Sequence, residues 1–264
     1  NIREEDGFGL RPNIGFRGAT PERSKKITIM EDGILSGPAP YSAPAAYYFP
    51  MMSKMTSIEV FKGPAATKYG PNTVAGALNM TTRAVPNAQE GMIDLSLGTD
   101  GYSKVHGFYG DNIGDFGFLI EAINMQSDGF KDLDGSVNAG NTGFDKNDLM
   151  AKFRYDLSTD GAEHTFALKL AYADENSNET YLGLTDEDFI RTPNRRYVAS
   201  QRDNMDWQHQ QVQFTHFVQT NNFDITTHVY RNEFERSWFK IANFKKFDNQ
   251  YRDLQYILTN PEDD

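Results

Sequence analysis

The residues with the clearest chemical potential form a cluster of arginines and tyrosines between residues 176 and 202. The members of this cluster are Tyr181, Arg191, Arg195, Arg196, Tyr197 and Arg202. A guanidinium group donates paired hydrogen bonds to carboxylates, so the cluster is suited to an anionic ligand. The alternative is a solvated loop whose arginines pair with its own acidic residues, Asp186, Glu187, Asp188 and Asp203.

Other residue types show no comparable arrangement. The histidines, at positions 106, 164, 209, 216 and 228, stand singly in strand-like segments without metal-ligand spacing. The segment Asp132–Gly135 resembles a calcium loop only faintly, because the terminal glutamate is missing. The glycines between Gly63 and Gly76 are not followed by the Gly-Lys-Ser/Thr of a phosphate loop. We therefore predict no catalytic residue, no bound metal and no resident cofactor.

Composition excludes several further classes of protein. The chain has 264 residues, 26 basic and 37 acidic, which gives a net charge of −11, and it has no cysteine. This acidity argues against a nucleic-acid partner, and the lack of cysteine excludes disulfides and thiol nucleophiles. The most apolar stretch, Ala43–Met52, is about half of the ~20 residues that a transmembrane helix needs.

The elements that must position these residues fall into two regions. Residues 1–86 are rich in glycine and proline, with short strand-like runs at Ile27–Met30 and Ile58–Phe61. The first run ends at the turn signal Asp32-Gly33, and residues 38–50 hold too many prolines for a regular element. We predict a small, loop-rich mixed domain.

From about residue 90 the sequence favours long strands. In the segment 148–157 apolar residues alternate with charged ones, and the segment 164–175 repeats the pattern, which is typical of strands with one apolar and one polar face. Further candidate strands are Met92–Leu97, Tyr102–Gly110, Phe116–Met125, Trp207–Thr220, Phe223–Trp238 and, more weakly, Tyr251–Thr259.

The connections alternate between short and long. Short turns are expected at 111–115, 158–163 and 221–222, and long polar segments at 126–146, at 176–206 and after Phe239. Strands of ten or more residues joined in this way are typical of outer-membrane barrels, whereas strands of soluble domains cluster at about five or six residues. A soluble all-β domain with exposed aromatic side chains is the alternative.

Several strings in the first region resemble the plug domain of TonB-dependent outer-membrane receptors. They are Asn13–Gly18, Ile29–Ile34 and the run from Ile58 to Arg83, with its Glu-Val-x-x-Gly-Pro, Tyr-Gly and Gly-x-x-Asn motifs. Together these motifs are specific, although each alone is weak. Tyr69-Gly70-Pro71, Thr82–Pro86 and Gly183-Leu184-Thr185 resemble the ferric citrate and ferric siderophore branch.

The resemblance implies an α+β plug domain at residues 1–86, followed at 87–264 by about seven or eight strands of an antiparallel transmembrane β-barrel. Barrels of this family have about 22 strands, so the barrel is expected to be incomplete and the chain to be a fragment. The implied location is the bacterial outer membrane. The implied partners are membrane lipids, the TonB energy-transducing complex and a ferric chelate that carries its own iron.

The resemblance also implies roles for residues of the plug. In the family, plug charges lock the plug to barrel glutamates, and the matching residues here are Arg17, Glu59 and Lys62, with lysine where arginine is usual. Five glycines are expected to serve backbone geometry: Gly18, Gly33, Gly63, Gly70 and Gly76.

Ligand contacts are implied at two places. One is the plug, through Arg17 and the apical loop residues Tyr41, Ser42, Tyr47 and Tyr48; the other is the barrel loop, through Arg195, Arg196, Tyr197 and Arg202. Ala43 stands where the citrate branch has an amide, and this difference argues against citrate itself as the ligand. The function expected is active uptake of a ferric chelate, with vitamin B12, a glycan or another nutrient as the alternative cargo. The chain is not expected to be an enzyme. The rival is a soluble secreted β-domain, such as an adhesin or a carbohydrate-binding module.

Overall fold

The computed structural model describes residues 1–36, 48–135, 141–241, 244–245, 251–252 and 256. The first region, called the plug below, contains six short strands and three 3-10 helices. The strands are β1 (Ile2–Glu4), β2 (Pro12–Ile14), β3 (Ile27–Glu31), β4 (Ile34–Leu35), β5 (Met55–Phe61) and β6 (Gly76–Thr82). The helices are Glu22–Ser24, Met52–Lys54 and Gly63–Tyr69.

Four of these strands form a mixed sheet in the order β4-β3-β6-β5, with β3 parallel to β6. All five residues of β3 are buried, and Ile27 and Ile29 belong to the main apolar cluster of the plug. The predicted strand and turn are confirmed, because β3 and β4 form a hairpin through Asp32 and Gly33. Both turn residues have positive φ, at 49° and 79°, as a tight hairpin turn requires.

The predicted glycines all adopt positive φ in the structure, and Gly76 has the clearest reason. Its φ is 145°, and an added Cβ atom would lie 2.5 Å from the carbonyl oxygen of Phe61 on the neighbouring strand. A side chain there would separate β5 from β6. The other four, Gly18, Gly33, Gly63 and Gly70, have φ values between 68° and 95°.

The second region forms one antiparallel sheet of seven long strands, called the strand wall below. Its members, in spatial and chain order, are β7 (Glu90–Leu97), β8 (Ser103–Ile113), β9 (Phe116–Ser127), β11 (Phe144–Thr159), β12 (Ala162–Asn178), β14 (Asn204–Gln219) and β15 (Asp224–Phe239). Shorter elements lie in the connections: β10 (Asp132–Leu133), α1 (Asp186–Arg191), β13 (Arg195–Arg196), the 3-10 helix Val198–Arg202, β16 (Phe244–Lys245) and β17 (Tyr251–Arg252).

The connections confirm the predicted alternation, with corrections to their lengths. At one edge of the wall, the short-turn edge, the strands are joined by residues 114–115, 160–161 and 220–223. The first of these turns is shorter than the predicted span of 111–115, because residues 111–113 pair with Phe118, Gly117 and Phe116 and so continue β8. At the other edge, the long-loop edge, segments 128–143 and 179–203 join through parallel pairing of β10 with β13.

Two predicted segments fall partly outside the described residues. The proline-rich loop at 38–50 is described only from Tyr48 onward, which leaves out Tyr41, Ser42 and Tyr47. The weak strand prediction at 251–259 is described only at Tyr251–Arg252, which is strand, and at Tyr256.

The strand wall buries its polar face and exposes its apolar face. On β11, Leu149 is 52% exposed whereas Asp148 is 2% exposed; on β12, Leu170 is 40% exposed and Lys169 is 5% exposed. The buried polar face lies against the plug, as the ion pairs below show. This arrangement contradicts the rival sandwich, in which the apolar faces would pack on each other. In the part of the chain that the structure describes, no helix has the length and apolar character to cross a membrane.

Candidate functional site

The β3–β4 hairpin of the plug carries two carboxylates to the strand wall. Glu31 ends β3, and Asp32 begins the turn, so the two side chains leave the plug side by side. On the wall, Lys169 of β12 donates hydrogen bonds to Glu31 Oε1 at 2.6 Å and to Asp32 Oδ2 at 2.7 Å. Lys152 of β11 lies 3.4 Å from the same oxygen of Asp32. The hairpin is therefore fixed to the wall by two lysines.

Lys54 extends this cluster from the plug side. It ends the 3-10 helix Met52–Lys54, and its Nζ lies 2.8 Å from Asp148 Oδ2 on β11 and 3.3 Å from Glu31 Oε1. The side chains of Glu31, Lys54 and Asp148 are 2–3% exposed. Buried charges of this kind must be paired, since an isolated charge in the interior is very costly. We call the six residues Glu31, Asp32, Lys54, Asp148, Lys152 and Lys169 the central ion network.

The pKa values of the plug carboxylates reflect this pairing. Burial alone would raise the pKa of Glu31, but the charges of Lys169 and Lys54 outweigh it and lower the pKa to about 2. Burial is likewise opposed at Asp32, where Lys169 and Lys152 hold the pKa well below its usual value. Both carboxylates are therefore ionised at neutral pH and balance the lysines that surround them.

A second set of ion pairs joins plug and wall nearer the long-loop edge. Arg11, which is 5% exposed, donates from Nη2 to Glu175 Oε1 at 2.5 Å and to Ser177 Oγ at 2.8 Å on β12. Its Nη1 lies 2.9 Å from Glu179 Oε1, and Lys146 Nζ lies 3.2 Å from Glu175 Oε2. Two separate charged clusters thus attach the plug to the wall.

A cavity of about 300 Å³ opens between the plug and the long loops, beside Arg11. We call it the outer pocket. Its lining residues include Glu5, Asp6, Arg11, Lys131, Glu179, Thr180, Tyr181, Arg196 and Trp238. The carboxylate of Asp6 accepts hydrogen bonds from backbone N–H groups of residues 8, 10 and 11, while Glu179 faces Arg11. Two of the carboxylates are therefore already engaged.

Two cations of the outer pocket lack such a partner among the described residues. Lys131 donates to the carbonyl oxygen of Asp6 at 2.9 Å, and Arg196 donates from Nη1 to the carbonyls of Pro193 and Arg195. Burial lowers the pKa of Arg196, and burial together with the charge of Arg196 lowers the pKa of Lys131. Arg196 Nε and Trp238 Nε1 are buried without a hydrogen-bond partner in the described structure. Unused donors of this type suit an anion.

Three other residues of the predicted arginine loop, Arg191, Arg195 and Tyr197, form a cluster around Asp188. Arg195 Nε lies 2.9 Å from both carboxylate oxygens of Asp134, and its Nη1 donates to Asp188 Oδ1 at 2.9 Å. Arg191 donates to the same oxygen, and the Tyr197 hydroxyl donates to Asp188 Oδ2. Arg202 is exposed. Arg191 and Arg195 therefore pair with acidic residues of the loops. Of the four loop arginines, Arg196 is the one that lines the outer pocket.

The predicted plug-locking charges lie on an exposed surface. Glu59 accepts a hydrogen bond from Asn79 at 2.9 Å, Lys62 lies 5.8 Å from the ring centre of Phe16, and Arg17 lies beside Gly63. Within the described part of the chain, none of these three charges is paired with the strand wall. Their pairing with barrel glutamates stays a prediction, and the ion pairs seen between plug and wall involve other residues.

Tyr48 is the one apical residue of the predicted ligand set that the structure describes. It is 4% exposed, and its ring centre lies 5.3 Å from that of Trp207 and 4.3 Å from that of His209 on β14. In this position it packs the plug against the wall. Its predicted ligand contact stays a prediction, as do those of Tyr41, Ser42 and Tyr47.

Sequence reasoning missed Lys54, Glu31 and Arg11, although it noted the charged faces of the strands. The available signal was the run of lysine and aspartate opposite the apolar face, at Asp148, Lys152 and Lys169. Charged residues on a face that encloses a plug need oppositely charged partners, and these partners must lie on the buried surface of the plug. No group of three or more potential metal ligands occurs among the described residues.

Comparison with known proteins finds a family model that matches the plug and solved structures that share the fold of both regions. Residues 1–77 match the family model of the TonB-dependent receptor plug domain. The vitamin B12 transporter BtuB of Photobacterium profundum is 24% identical over 147 residues, which is 55% of this chain and 24% of that protein.

Solved structures extend the likeness to the strand wall. The unliganded ferric citrate transporter FecA matches with a TM-score of 0.74 and 21% identity, over 91% of this chain and 36% of that one. The ferric-catecholate import receptor Fiu from E. coli K12 matches at 0.69 and 14% identity, covering 91% of this chain and 36% of that one. The siderophore receptor PiuA from Acinetobacter baumannii matches with a TM-score of 0.63 and 16% identity, over 90% of this chain and 33% of that one. The predicted fold class is confirmed, and the chain spans about a third of each of these structures.

Proposed function

Because this chain belongs to the TonB-dependent receptors of the bacterial outer membrane, we propose that the receptor imports a ferric chelate that carries carboxylate groups. In this proposal the long-loop edge faces the outside and the short-turn edge faces the periplasm. The iron arrives as part of the cargo, so the receptor itself holds no cofactor. Energy for transport comes from the TonB complex, which is the proposed partner on the periplasmic side.

The observation that carries the choice of cargo is the pair Lys131 and Arg196 in the outer pocket. Both side chains are cationic, lie beside buried N–H donors and are not paired with a carboxylate in the described structure. A carboxylate of the chelate would supply the missing acceptor, and charge-assisted hydrogen bonds are the strong ones. A neutral cargo would leave these donors unpaired.

The remaining predicted ligand residues take supporting roles in this proposal. Arg195 and Tyr197, held by Asp134 and Asp188, fix the loop that presents Arg196. The proposal leaves Arg17, Tyr41, Ser42, Tyr47, Tyr48 and Arg202 as further contacts for a bound chelate. After capture, transport requires the plug to leave the wall, and the central ion network is the main attachment that must be broken.

The proposal is tested by titrating the purified receptor with ferric citrate and with a ferric carboxylate siderophore. Arg196→Gln is expected to weaken binding about tenfold or more, because a hydrogen bond to a charged group contributes ~1.5–3 kcal/mol. Arg191→Gln is the matched control, since Arg191 is exposed and pairs with Asp188 and Glu187 on α1. Binding of vitamin B12 with no binding of any ferric chelate would reject the proposed cargo.

A further inference from the structure

We propose that Lys152 and Lys169 form a second anion site on the inner face of the strand wall, on the route of the cargo. In the resting receptor the carboxylate of Asp32 occupies this site, and the carboxylate of the chelate replaces it when the plug moves. The inference rests on the proposed function, since it requires an anionic cargo.

The register of the strands places the two lysines directly opposite each other. Lys152 on β11 pairs with Lys169 on β12, and both side chains point to the plug. Like charges in opposite positions of neighbouring strands repel and destabilise the sheet. Here the repulsion is relieved by Asp32 Oδ2, which lies 2.7 Å from Lys169 Nζ and 3.4 Å from Lys152 Nζ. The pair is therefore shaped around one bridging carboxylate oxygen.

In the part of the chain that the structure describes, the counterions of these lysines belong to the plug. Among the described residues, Lys152 pairs with Asp32, and Lys169 pairs with Asp32 and Glu31. Other inner-face cations differ: Lys146 pairs with Glu175, and Lys104 pairs with Asp94 at 2.9 Å, both within the wall. When the plug leaves, Lys146 and Lys104 keep these carboxylate partners, whereas Lys152 and Lys169 lose every partner that the described residues give them. Two uncompensated cations then face the lumen.

Space for an anion already exists beside the pair. A cavity of about 310 Å³ has among its lining residues Asp32, Ala84 and Val85 of the plug and Lys152, Arg154 and Lys169 of the wall, together with apolar wall residues such as Phe153 and Leu168. Arg154 stands two residues beyond Lys152, towards the short-turn edge, and contacts the carbonyl of Val85 at 3.5 Å. A chelate that entered from the long-loop side would meet the lysine pair and then Arg154. When the carboxylate of the chelate replaces that of Asp32, the net charge of the site does not change. The free-energy cost of moving the anion past the lysines is therefore lower.

A locking role and a transit role predict opposite effects of removing Lys152. Lys152→Met leaves Asp32 bound to Lys169 and to Thr82, so the plug stays attached. If Lys152 were only part of the lock, its loss would leave uptake unchanged or faster. If it receives the cargo, uptake of the anionic chelate falls.

The experiment uses cells that express the full-length receptor and measures three quantities for each variant. These are binding of the ferric chelate at the cell surface, its energised uptake, and exclusion of a large antibiotic such as vancomycin. For Lys152→Met we expect unchanged binding and exclusion, with uptake lowered about tenfold. Lys152→Arg should restore uptake, and Lys104→Met, whose partner lies within the wall, should leave uptake unchanged.

Two results separate the inference from the function on which it rests. If the wild-type receptor binds no ferric chelate, the proposed function fails. If it binds and imports the chelate and Lys152→Met imports it at least as fast, the transit site is rejected while the function stands. If Lys152→Met does not reach the membrane, Lys152→Gln is used instead, since it keeps the polarity and much of the length of the side chain. For this variant too we expect unchanged binding with lowered uptake, and uptake at least as fast as in the wild type would reject the transit site.

Discussion

Glu31 connects proton concentration to the attachment of the plug. Its pKa is about 2 in the assembled structure, against 4.5 for the free group. Because the pKa is depressed, the stability that Glu31 contributes is fully present above pH 4.5 and is lost as the pH falls towards 2. The linked free energy is on the order of 3 kcal/mol.

We therefore expect the thermal stability of the purified receptor to drop between pH 5 and pH 3 more steeply in the wild type than in Glu31→Gln. The glutamine variant should start lower at pH 7, because Lys169 and Lys54 lose part of their compensation. Glu59→Gln changes an exposed plug residue that accepts a hydrogen bond from Asn79; it serves as the control and should keep the wild-type slope. Equal slopes for the wild type and Glu31→Gln would contradict the assignment.

Lys54 gives a second prediction at the scale of the residue. Lys54→Met leaves Asp148 buried without its cation, and breaking a buried pair on one side costs about 3–5 kcal/mol. Replacing both partners by apolar residues removes the stranded charge, so Lys54→Met with Asp148→Leu should recover much of that loss. Thermal unfolding of the single and double variants measures the difference. A double variant that is less stable than the single one would show that Asp148 has another essential partner.

Individual ion-pair partners were the feature that the sequence predicted least well. The alternation in β11 assigned Asp148 and Lys152 to the polar face correctly, because that assignment needs only the two-residue period of a strand. It did not identify Lys54 as the partner of Asp148 or Asp32 as the partner of Lys152, since each pair joins residues more than ninety positions apart. Family motifs pointed instead to Arg17, Glu59 and Lys62, which lie on an exposed surface of the plug.

At the scale of the element, the exposed apolar face of β11 should behave as a surface in contact with lipid. Leu149 and Leu157 lie on this face, at different distances from the short turn at 160–161. Arginine at the middle of a bilayer costs about 2–4 kcal/mol in a membrane barrel, and about 0–1 kcal/mol near its interfaces. Leu149→Arg, farther from the short turn, should therefore destabilise the receptor in lipid vesicles more than Leu157→Arg, with both effects between about 0 and 4 kcal/mol.

The two substitutions control each other, because they share the strand, the face and the residue type. Equal effects at both positions, measured as unfolding free energies in vesicles, would argue against lipid contact that varies with depth.

The existence of these strands could be predicted from sequence for a physical reason: alternation is a local property that any single strand displays. It misjudged the ends, as at residues 111–113, because strand length depends on a neighbour such as β9, which one strand's own sequence does not reveal.

At the scale of the whole molecule, the plug meets the wall mainly through polar groups. The inner face of the wall buries Glu121, Lys146, Asp148, Lys169, Glu175, His209 and Gln211. Apolar contact with the plug includes small clusters around Tyr48 with Trp207 and around Val85 with Leu119, and the ring pair of Phe8 with Phe144. Separation of the two bodies therefore exposes surface that water can solvate. The hydrophobic surface of the wall faces outward and does not depend on the plug.

This division predicts that the barrel folds without its plug. In a receptor that lacks residues 1–86, the wall keeps its own inner pairs, such as Lys146 with Glu175 and Lys104 with Asp94, whereas Lys152 and Lys169 lose every partner described here. We expect a heat-modifiable, membrane-inserted barrel that admits vancomycin. Adding Lys152→Met and Lys169→Met to the deletion should make this barrel more stable, because two opposed, uncompensated cations are removed. An aggregated product in both backgrounds would show that the apolar contacts of Tyr48 and Val85, rather than the charges, hold the wall in shape.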